Sequence, residues 1–364
     1  MKYAFKDIAS NCTEKRIPTE EDRLTYIGLE HLDSRKLAIT RYGSDVPLKG
    51  EKLVMKKGDI LFGKRNTYLK RVAIAPFDGL FSAHGMVLRP NEKVISKEFF
   101  PFFLSSDYFL DEAIRISVGS LSPTVNWKDL RDLVFEIPDF EKQHELALFL
   151  SSANELKESY EKMIAATDEM VKSQFIEMFR TAPKEHVHLK DIATYSIGLT
   201  YKPENVKPSG IPVLRSGNIQ EESLDFGDLV RVDSSIPDTL LLQDGDILMC
   251  SRNGSAHLVG KVARIRQLPE PMTFGAFMTV IRSEYMDYLF LFFQSDGFRQ
   301  QISYGKSSTM NQITQKMLDQ ITLDLPSKTE IKKLSPLLEQ ADKSKFELKQ
   351  AIEKIDKVMR ALMQ

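Results

Sequence analysis

Two stretches of the chain repeat their apolar positions with helical spacing, and each follows a longer stretch that does not. Leu146, Leu150, Ala153, Lys157, Tyr160, Ile164, Thr167, Val171, Gln174 and Met178 step by four and three, which keeps them on one face of a helix. No Pro or Gly falls between Asp139 and Thr181. Leu334, Leu338, Ala341, Lys345, Leu348, Ile352, Ile355, Met359 and Leu362 step the same way. From Leu150 and Leu338 onward the two stripes register at an offset of 188 residues, with Lys157 and Lys345 as matching polar interruptions. A 3.5-residue period over about four heptads predicts coiled-coil helices, and roughly 40 helical residues span about 60 Å. Neither helix is expected to stand alone. Each is expected to pair with the other, antiparallel, because equal halves related by a symmetry axis point their helices in opposite directions.

The preceding stretches carry short β-branched and aromatic runs broken by Gly, Pro, Asn and Asp, the mark of strand-rich globules. Each ends in a strand followed by Pro, at Pro138 and Pro326. The two stretches are copies of one another. Phe5-Lys6-Asp7-Ile8-Ala9 recurs as Leu189-Lys190-Asp191-Ile192-Ala193, Gly58-Asp59-Ile60-Leu61 as Gly245-Asp246-Ile247-Leu248, and Ser106-Asp107-Tyr108-Phe109 as Ser295-Asp296-Gly297-Phe298. Lys128, Leu130 and Pro138 also match Lys316, Leu318 and Pro326. Matches in one order at a nearly constant offset predict a tandem duplication of α+β class. The expected division is a mixed α/β globule over 1–138, a helix over 139–182, a second globule over 183–326 and a second helix over 327–364. The Gly-Asp pairs are expected to turn the chain into buried strands.

Composition narrows the classes. Cys12 and Cys250 are the only cysteines, which excludes a disulfide framework or a cysteine zinc site and favours a reducing, cytoplasmic setting. No run approaches 18 apolar residues, and Met1-Lys2-Tyr3-Ala4 does not read as a signal peptide. The sequence carries no phosphate-binding glycine loop, dinucleotide fingerprint, zinc-protease or serine-hydrolase motif. It also has no N-P-P-[YF]-type sequence of the kind that methyl transfer to an amino group would need. His186 and His188 lack further metal ligands nearby in the sequence. Ser303-Tyr304-Gly305-Lys306 spells a chance-level S-x-x-K. Asp139 with Glu141-Lys142 looks like a nuclease signature but falls at a helix start, where Asp is a common cap. A binding component is therefore favoured over an enzyme, with a protein-binding scaffold as the alternative and a cryptic active site at Ser303 or His188 as the remaining one.

A net charge of −1 hides a segregation of charge. Lys52 to Arg71 contains seven cations and one anion, Asp59, and the matching window Ile247 to Arg266 contains four cations and no acid. Eight acids precede the second window between Glu221 and Asp246. Within the windows, Lys64, Arg65, Asn66, Thr67, Tyr68, Lys70 and Arg71, and Ser251, Arg252, Asn253 and Ser255, offer phosphate contacts and base readout, Arg to guanine and Asn to adenine. A second polar loop, dense in donors and acceptors, recurs before the last strand of each half. Its candidates are Ser120, Ser122, Thr124 and Asn126, and then Lys306, Ser307, Ser308, Thr309, Asn311 and Gln312. Arg215 joins the second set. Trp127 is expected to pack at the rim of its globule.

Tandem halves, each with an opening K-D-I-A, a central K-G-D-I-L-F-G-K-R-N followed by Ala75 to Gly79, a G-S-x-S-P-x-x-N-W-K-D-L loop, a strand ending in I-P and a long amphipathic helix, resemble the specificity subunit of type I restriction-modification systems. The second half departs from this pattern at Met249-Cys250-Ser251 and over Lys306 to Asn311. The resemblance implies that each globule is a target recognition domain for half of a bipartite double-stranded DNA site, with the helices as a ruler. It implies as partners two methyltransferase subunits and restriction/translocase subunits. S-adenosylmethionine, ATP and Mg would belong to those partners, leaving this chain with no cofactor and no catalytic residue. Phe175, Met178 and Phe179 are then expected to face outward and receive a partner helix.

Overall fold

The computed structural model describes residues 1–220, 222–304 and 311–363, the Tyr304 side chain excepted. The candidates Lys306, Ser307, Ser308 and Thr309 lie outside the described residues. The chain divides into two compact units, Met1–Met163 with Glu347–Gln364, and Ile164–Phe346. Each long helix thus contributes to both units, a different division from the alternating globules and helices that the sequence pattern suggests. Among the described residues no helix is long and apolar enough to cross a membrane.

In the first unit an antiparallel sheet runs in the order Ala9–Cys12, Met86–Pro90, Ile60–Phe62, Val72–Ile74. The second unit builds the same order from Thr194–Ile197, Met278–Arg282, Ile247–Cys250 and Val262–Arg264. Beside each lies a sheet of short strands containing one parallel pair, Tyr26–Ile27 with Gly79–Phe81 and Val206–Leu214 with Thr273–Phe274. Each half also joins its own ends. Lys2–Ala4 pairs with Val134–Glu136, and Lys184–His188 pairs with Thr322–Pro326.

The repeated sequence motifs acquire physical roles here. Gly58 and Gly245 turn at φ +89° and +93°, a region where a Cβ is strained, and deliver Ile60–Phe62 and Ile247–Cys250 to inner, fully buried positions. The adjoining acids are buried. Asp59 accepts from the Lys56 N–H at 2.8 Å and takes both arms of Arg89 at 2.6 and 2.8 Å. Asp246 accepts from the Gln243 N–H at 2.9 Å and takes Arg282 at 2.8 and 2.9 Å. In Ser-Asp-x-Phe, Ser106 and Ser295 accept from the N–H groups of Phe109 and Phe298 at 3.2 and 3.3 Å, capping helices whose phenylalanines are fully buried. Trp127 lies tilted against Phe5, ring centres 5.6 Å apart, and is partly buried at the edge of the core, as expected.

The central helix, Phe140–Arg180, is unbroken for 41 residues, about 60 Å. Its counterpart is not a single helix. Lys328–Lys332 forms a short piece, and the long C-terminal helix starts at Ser335 and runs 28 residues to Leu362. Pro336 explains the break, since proline has no N–H to donate and is tolerated only in a first turn. The polar interruptions of both stripes are satisfied by acids on the other helix. In the first unit Lys157 meets Asp356 at 2.7 Å, and Leu150 packs in one cluster with Met359. In the second, Lys345 meets Asp168 at 2.6 Å, and Val171 packs with Leu338 and Ala341.

Phe175, Met178 and Phe179 do not face outward as expected. Phe179 is buried, the other two pack against the same apolar cluster, and both phenylalanine rings contact Tyr288 at 5.2 Å. Their positions continue the inner stripe, and the core of the second unit extends far enough to cover them. The exposed apolar side chains of this helix lie elsewhere. Phe149, Leu156, Met163 and Met170 fall seven apart and are all exposed, as are Ser152, Ser159, Ala166 and Ser173, each three residues further on.

Candidate nucleic-acid interface

Both basic loops connect a hydrogen-bonded strand pair of the central sheet, Ile60–Phe62 to Val72–Ile74 and Ile247–Cys250 to Val262–Arg264. Each basic loop is fastened to the polar loop of its own half by the same two main-chain hydrogen bonds, which set one antiparallel bridge. In the first unit the Val125 N–H donates to the Lys64 carbonyl at 3.0 Å, the Asn66 N–H donates to the Pro123 carbonyl at 2.8 Å, and Arg65 bridges Thr124. In the second the Ile313 N–H donates to the Ser251 carbonyl at 2.8 Å, the Asn253 N–H donates to the Asn311 carbonyl at 3.2 Å, and Arg252 bridges Gln312. Segments about 60 residues apart in sequence thereby become one surface. Val125 and Ile313 point into the core and anchor the seam.

On this seam Arg65 and Arg252 are exposed and meet no carboxylate among the described residues. Arg65 Nη2 donates to Ser122 Oγ at 3.4 Å. Arg252 donates to Gln312 Oε1 through Nε at 3.1 Å and Nη2 at 2.5 Å, with its guanidinium 5.6 Å from the centre of the Phe277 ring. Of the neighbouring cations in the first loop, Lys70 is paired with carboxylates. Tyr68, Ser120, Asn126 and Ser255 are also exposed. Thr124 Oγ1 donates to the Ser122 carbonyl at 3.0 Å, and Asn311 Nδ2 to the Gly254 carbonyl at 3.0 Å. Asn253 donates through Nδ2 to Ser216 Oγ at 3.0 Å and accepts the Ser255 N–H at 2.9 Å, so it shapes its loop. Asn66 turns its own loop in the left-handed region at φ 55°. Lys64 is half-buried, and burial together with nearby Lys15 pushes its ammonium below the usual range.

Four candidates are corrected to structural roles. Thr67 is fully buried and donates to the Lys64 carbonyl at 2.9 Å. Ser251 is buried and donates to the Phe277 carbonyl at 3.0 Å. Lys70 braces the loop against Asp107 and Asp111 at 2.5 and 2.6 Å, with 17% of its side chain exposed. Arg71 donates to the Leu29 carbonyl at 2.9 Å. For Thr67, Ser251 and Lys70 a side chain that composition alone classes as a DNA contact is consumed in holding the loop, and Arg71 gives one donor to the same task. Arg215 stands apart from these, ion-paired to Asp228 at 3.0 Å. Sequence reading overlooked Phe277 and Leu121, whose signal was one large apolar residue among Gly, Ala and Ser in a loop. Of the residues weighed for catalysis, Ser303 donates to the Arg299 carbonyl one turn back at 2.7 Å, and His186 lies 3.0 Å from Asp324.

The family profile described as the type I restriction modification DNA specificity domain matches residues 17–165 and again 182–357. The chain belongs to this family. Both specificity domains contain the loop pair just described. The StySPI specificity subunit of Salmonella potsdam is 31% identical over 194 residues, which cover 50% of this chain and 41% of that protein, so the match spans less than half of the relative. A putative type I specificity subunit of Methanocaldococcus jannaschii, MjaX, is 24% identical over 405 residues, 98% of this chain and 90% of its own length. The crystal structure of a type I S subunit from M. genitalium shares the fold, with a TM-score of 0.52 at 13% identity over 100% of this chain and 96% of that one. Burial pushes the thiols of Cys12 and Cys250 upward, which keeps each protonated and poorly nucleophilic.

Proposed function

We propose that the chain is the DNA-reading subunit of a type I restriction-modification complex and acts in the cytoplasm. Each specificity domain reads one half of a bipartite, asymmetric site in double-stranded DNA. The observation that carries this reading is the repeated seam, where Arg65 and Arg252 occupy matching positions without a carboxylate partner among the described residues. An arginine left without an acid on a rigid edge suits guanine or phosphate. The hydroxyl and amide groups of Ser120, Ser122, Asn126, Ser255 and Gln312 supply uncharged donors and acceptors around it. Lys64 and Tyr68 add a cation and an aromatic face at the margin of the first seam.

The two long helices form an antiparallel coiled coil that fixes the gap between half-sites, an arrangement supported by the Lys157–Asp356 and Lys345–Asp168 pairs. The exposed stripe of Phe149, Leu156 and Met163, flanked by Glu145 and Glu155, receives helices of two methyltransferase subunits. Those subunits bring S-adenosylmethionine and methylate the DNA. Restriction subunits, with ATP and Mg, join the same assembly. The chain itself contributes position and sequence choice.

Methylome sequencing of cells with and without the gene tests this reading. A modified bipartite motif present only with the gene is the expected result, and identical methylomes would refute it. Removing one heptad from each helix shortens the unspecified gap of that motif, and an unchanged gap would refute the ruler.

A further inference from the structure

We infer that Leu121 is an apolar wedge that enters between stacked base pairs in the half-site read by the first domain. This rests on the DNA-reading function proposed above. Val118 and Thr124 exchange both main-chain hydrogen bonds, at 3.0 and 2.9 Å, and close a tight hairpin. Leu121 is the middle one of the five residues between them and is 94% exposed. Gly119, at φ +115°, makes the turn, and a Cβ there would sit 3.3 Å from the Ser122 carbonyl oxygen. The foot of the hairpin is sewn to the Arg65 loop through Pro123 and Val125.

A single exposed leucine is ordinary on a protein surface. This one differs in its support and its neighbours. Its two flanks are hydrogen-bonded to each other, which fixes the backbone that carries the side chain. Ser120 and Ser122 beside it are short and polar, which leaves the leucine as the one bulky group among the five residues of the turn. Arg65, without a carboxylate among the described residues, reaches the same hairpin at Ser122. A cation positioned for phosphate or a base edge, next to a rigid apolar tip, is the pairing that lets a protein unstack a base step while holding the backbone on either side. Burial of the leucine between bases offsets part of the unstacking, so the wedge favours pyrimidine–purine steps, which open most readily. Leu121 would then contribute sequence preference without a hydrogen bond.

The test uses the full chain and a duplex that it selects from a random-sequence pool, probed with permanganate, which oxidises unstacked thymines, and with hydroxylamine, which attacks unstacked cytosines. Wild-type protein should produce one hyperreactive step in the first half-site. Leu121→Ala should abolish that reactivity and weaken binding by about tenfold, whereas Leu121→Met should retain both. Thermal melting of the two variants should match that of wild type, since the side chain contacts little of the fold. Unchanged reactivity in Leu121→Ala, or no reactive step with wild-type protein that still selects a motif, would overturn the wedge and leave the DNA-reading function intact. Selection of no motif at all would remove the function and the wedge together.

Discussion

Replacing Arg252 with alanine separates base reading from simple attraction to DNA, because the structure sets both the gain and the cost. In the free protein its guanidinium spends two donors on Gln312 Oε1 and lies over Phe277. A hydrogen bond to a neutral acceptor and an exposed cation–π contact contribute roughly 1 kcal/mol between them. A bidentate arginine–guanine contact discriminates by about 1–3 kcal/mol. The contact with Gln312 uses one edge of the guanidinium, and among the described residues Nη1 makes no hydrogen bond and can turn toward a base, so the internal bond need not be lost. The net effect of Arg252→Ala is then about 1–2 kcal/mol, or roughly 5–30-fold in Kd. Fluorescence anisotropy on three duplexes, one cognate and one with each half-site scrambled, measures it at several salt concentrations. Affinity for the cognate duplex should fall while discrimination at the first half-site stays intact, and the dependence of log Kd on log salt should keep its slope. Uniform weakening across all three duplexes, with the slope reduced by about one, would assign Arg252 to phosphate and refute the reading.

Three further outcomes follow from the internal contacts. Asp246→Ala strands Arg282 and an N–H group, and because that arginine is partly hydrated the cost is about 2–4 kcal/mol. Calorimetry should show the melting of the second unit lowered by about 4–16 °C; a drop below 2 °C would mean that the pair carries no stability. Gly245→Ala meets no atom within 4 Å, so its expected loss of about 1–2 kcal/mol in urea unfolding is conformational alone, and a neutral result would exclude strain at φ +93°. The Arg16 guanidinium, with the N–H and hydroxyl of Thr19, holds Asp22 down at about 2. A depressed carboxyl stabilises the fold above its unfolded pKa and loses that contribution as pH falls from about 4 toward 2, here about 1–2 kcal/mol once the half-exposed Arg16 is allowed for. In Asp22→Asn that segment of the acid-unfolding curve should flatten, and an unaltered curve would assign the acid loss to other groups.

The duplication, the two long helices and the buried Gly-Asp-Ile-Leu strands were legible in the sequence because each is written in local spacing. Pairings across the sheet were less so. Asp59 and Asp246 carry visible turn signals, but Arg89 and Arg282, which neutralise them, lie about 30 residues away with nothing local to mark them. The break before Pro336 was readable and was masked by the apolar stripe that runs through it. At the site, charge pattern picked out the right loops and could not sort their residues. Lys70 and Arg65 look equivalent on paper, yet Asp107 and Asp111 claim one and no acid among the described residues reaches the other. Burial decided Thr67 and Ser251 in the same way, and the partner of a side chain is a property of the folded chain. Phe175 and Phe179 failed for a related reason, since periodicity defines a face without saying how far the core extends along it.

The seam between the two loops of each half is made from main-chain atoms. Its main-chain hydrogen bonds and its buried Val125 or Ile313 do not depend on the side chains of Arg65, Ser122, Arg252 or Gln312, whose contacts with one another across the seam only add to it. Thr124 and Gln312 already differ in size and chemistry at the two copies of one frame. Such a frame tolerates replacement of the groups it displays, so new preferences can accumulate by single substitutions, and a drift in what one half prefers imposes no change on the other.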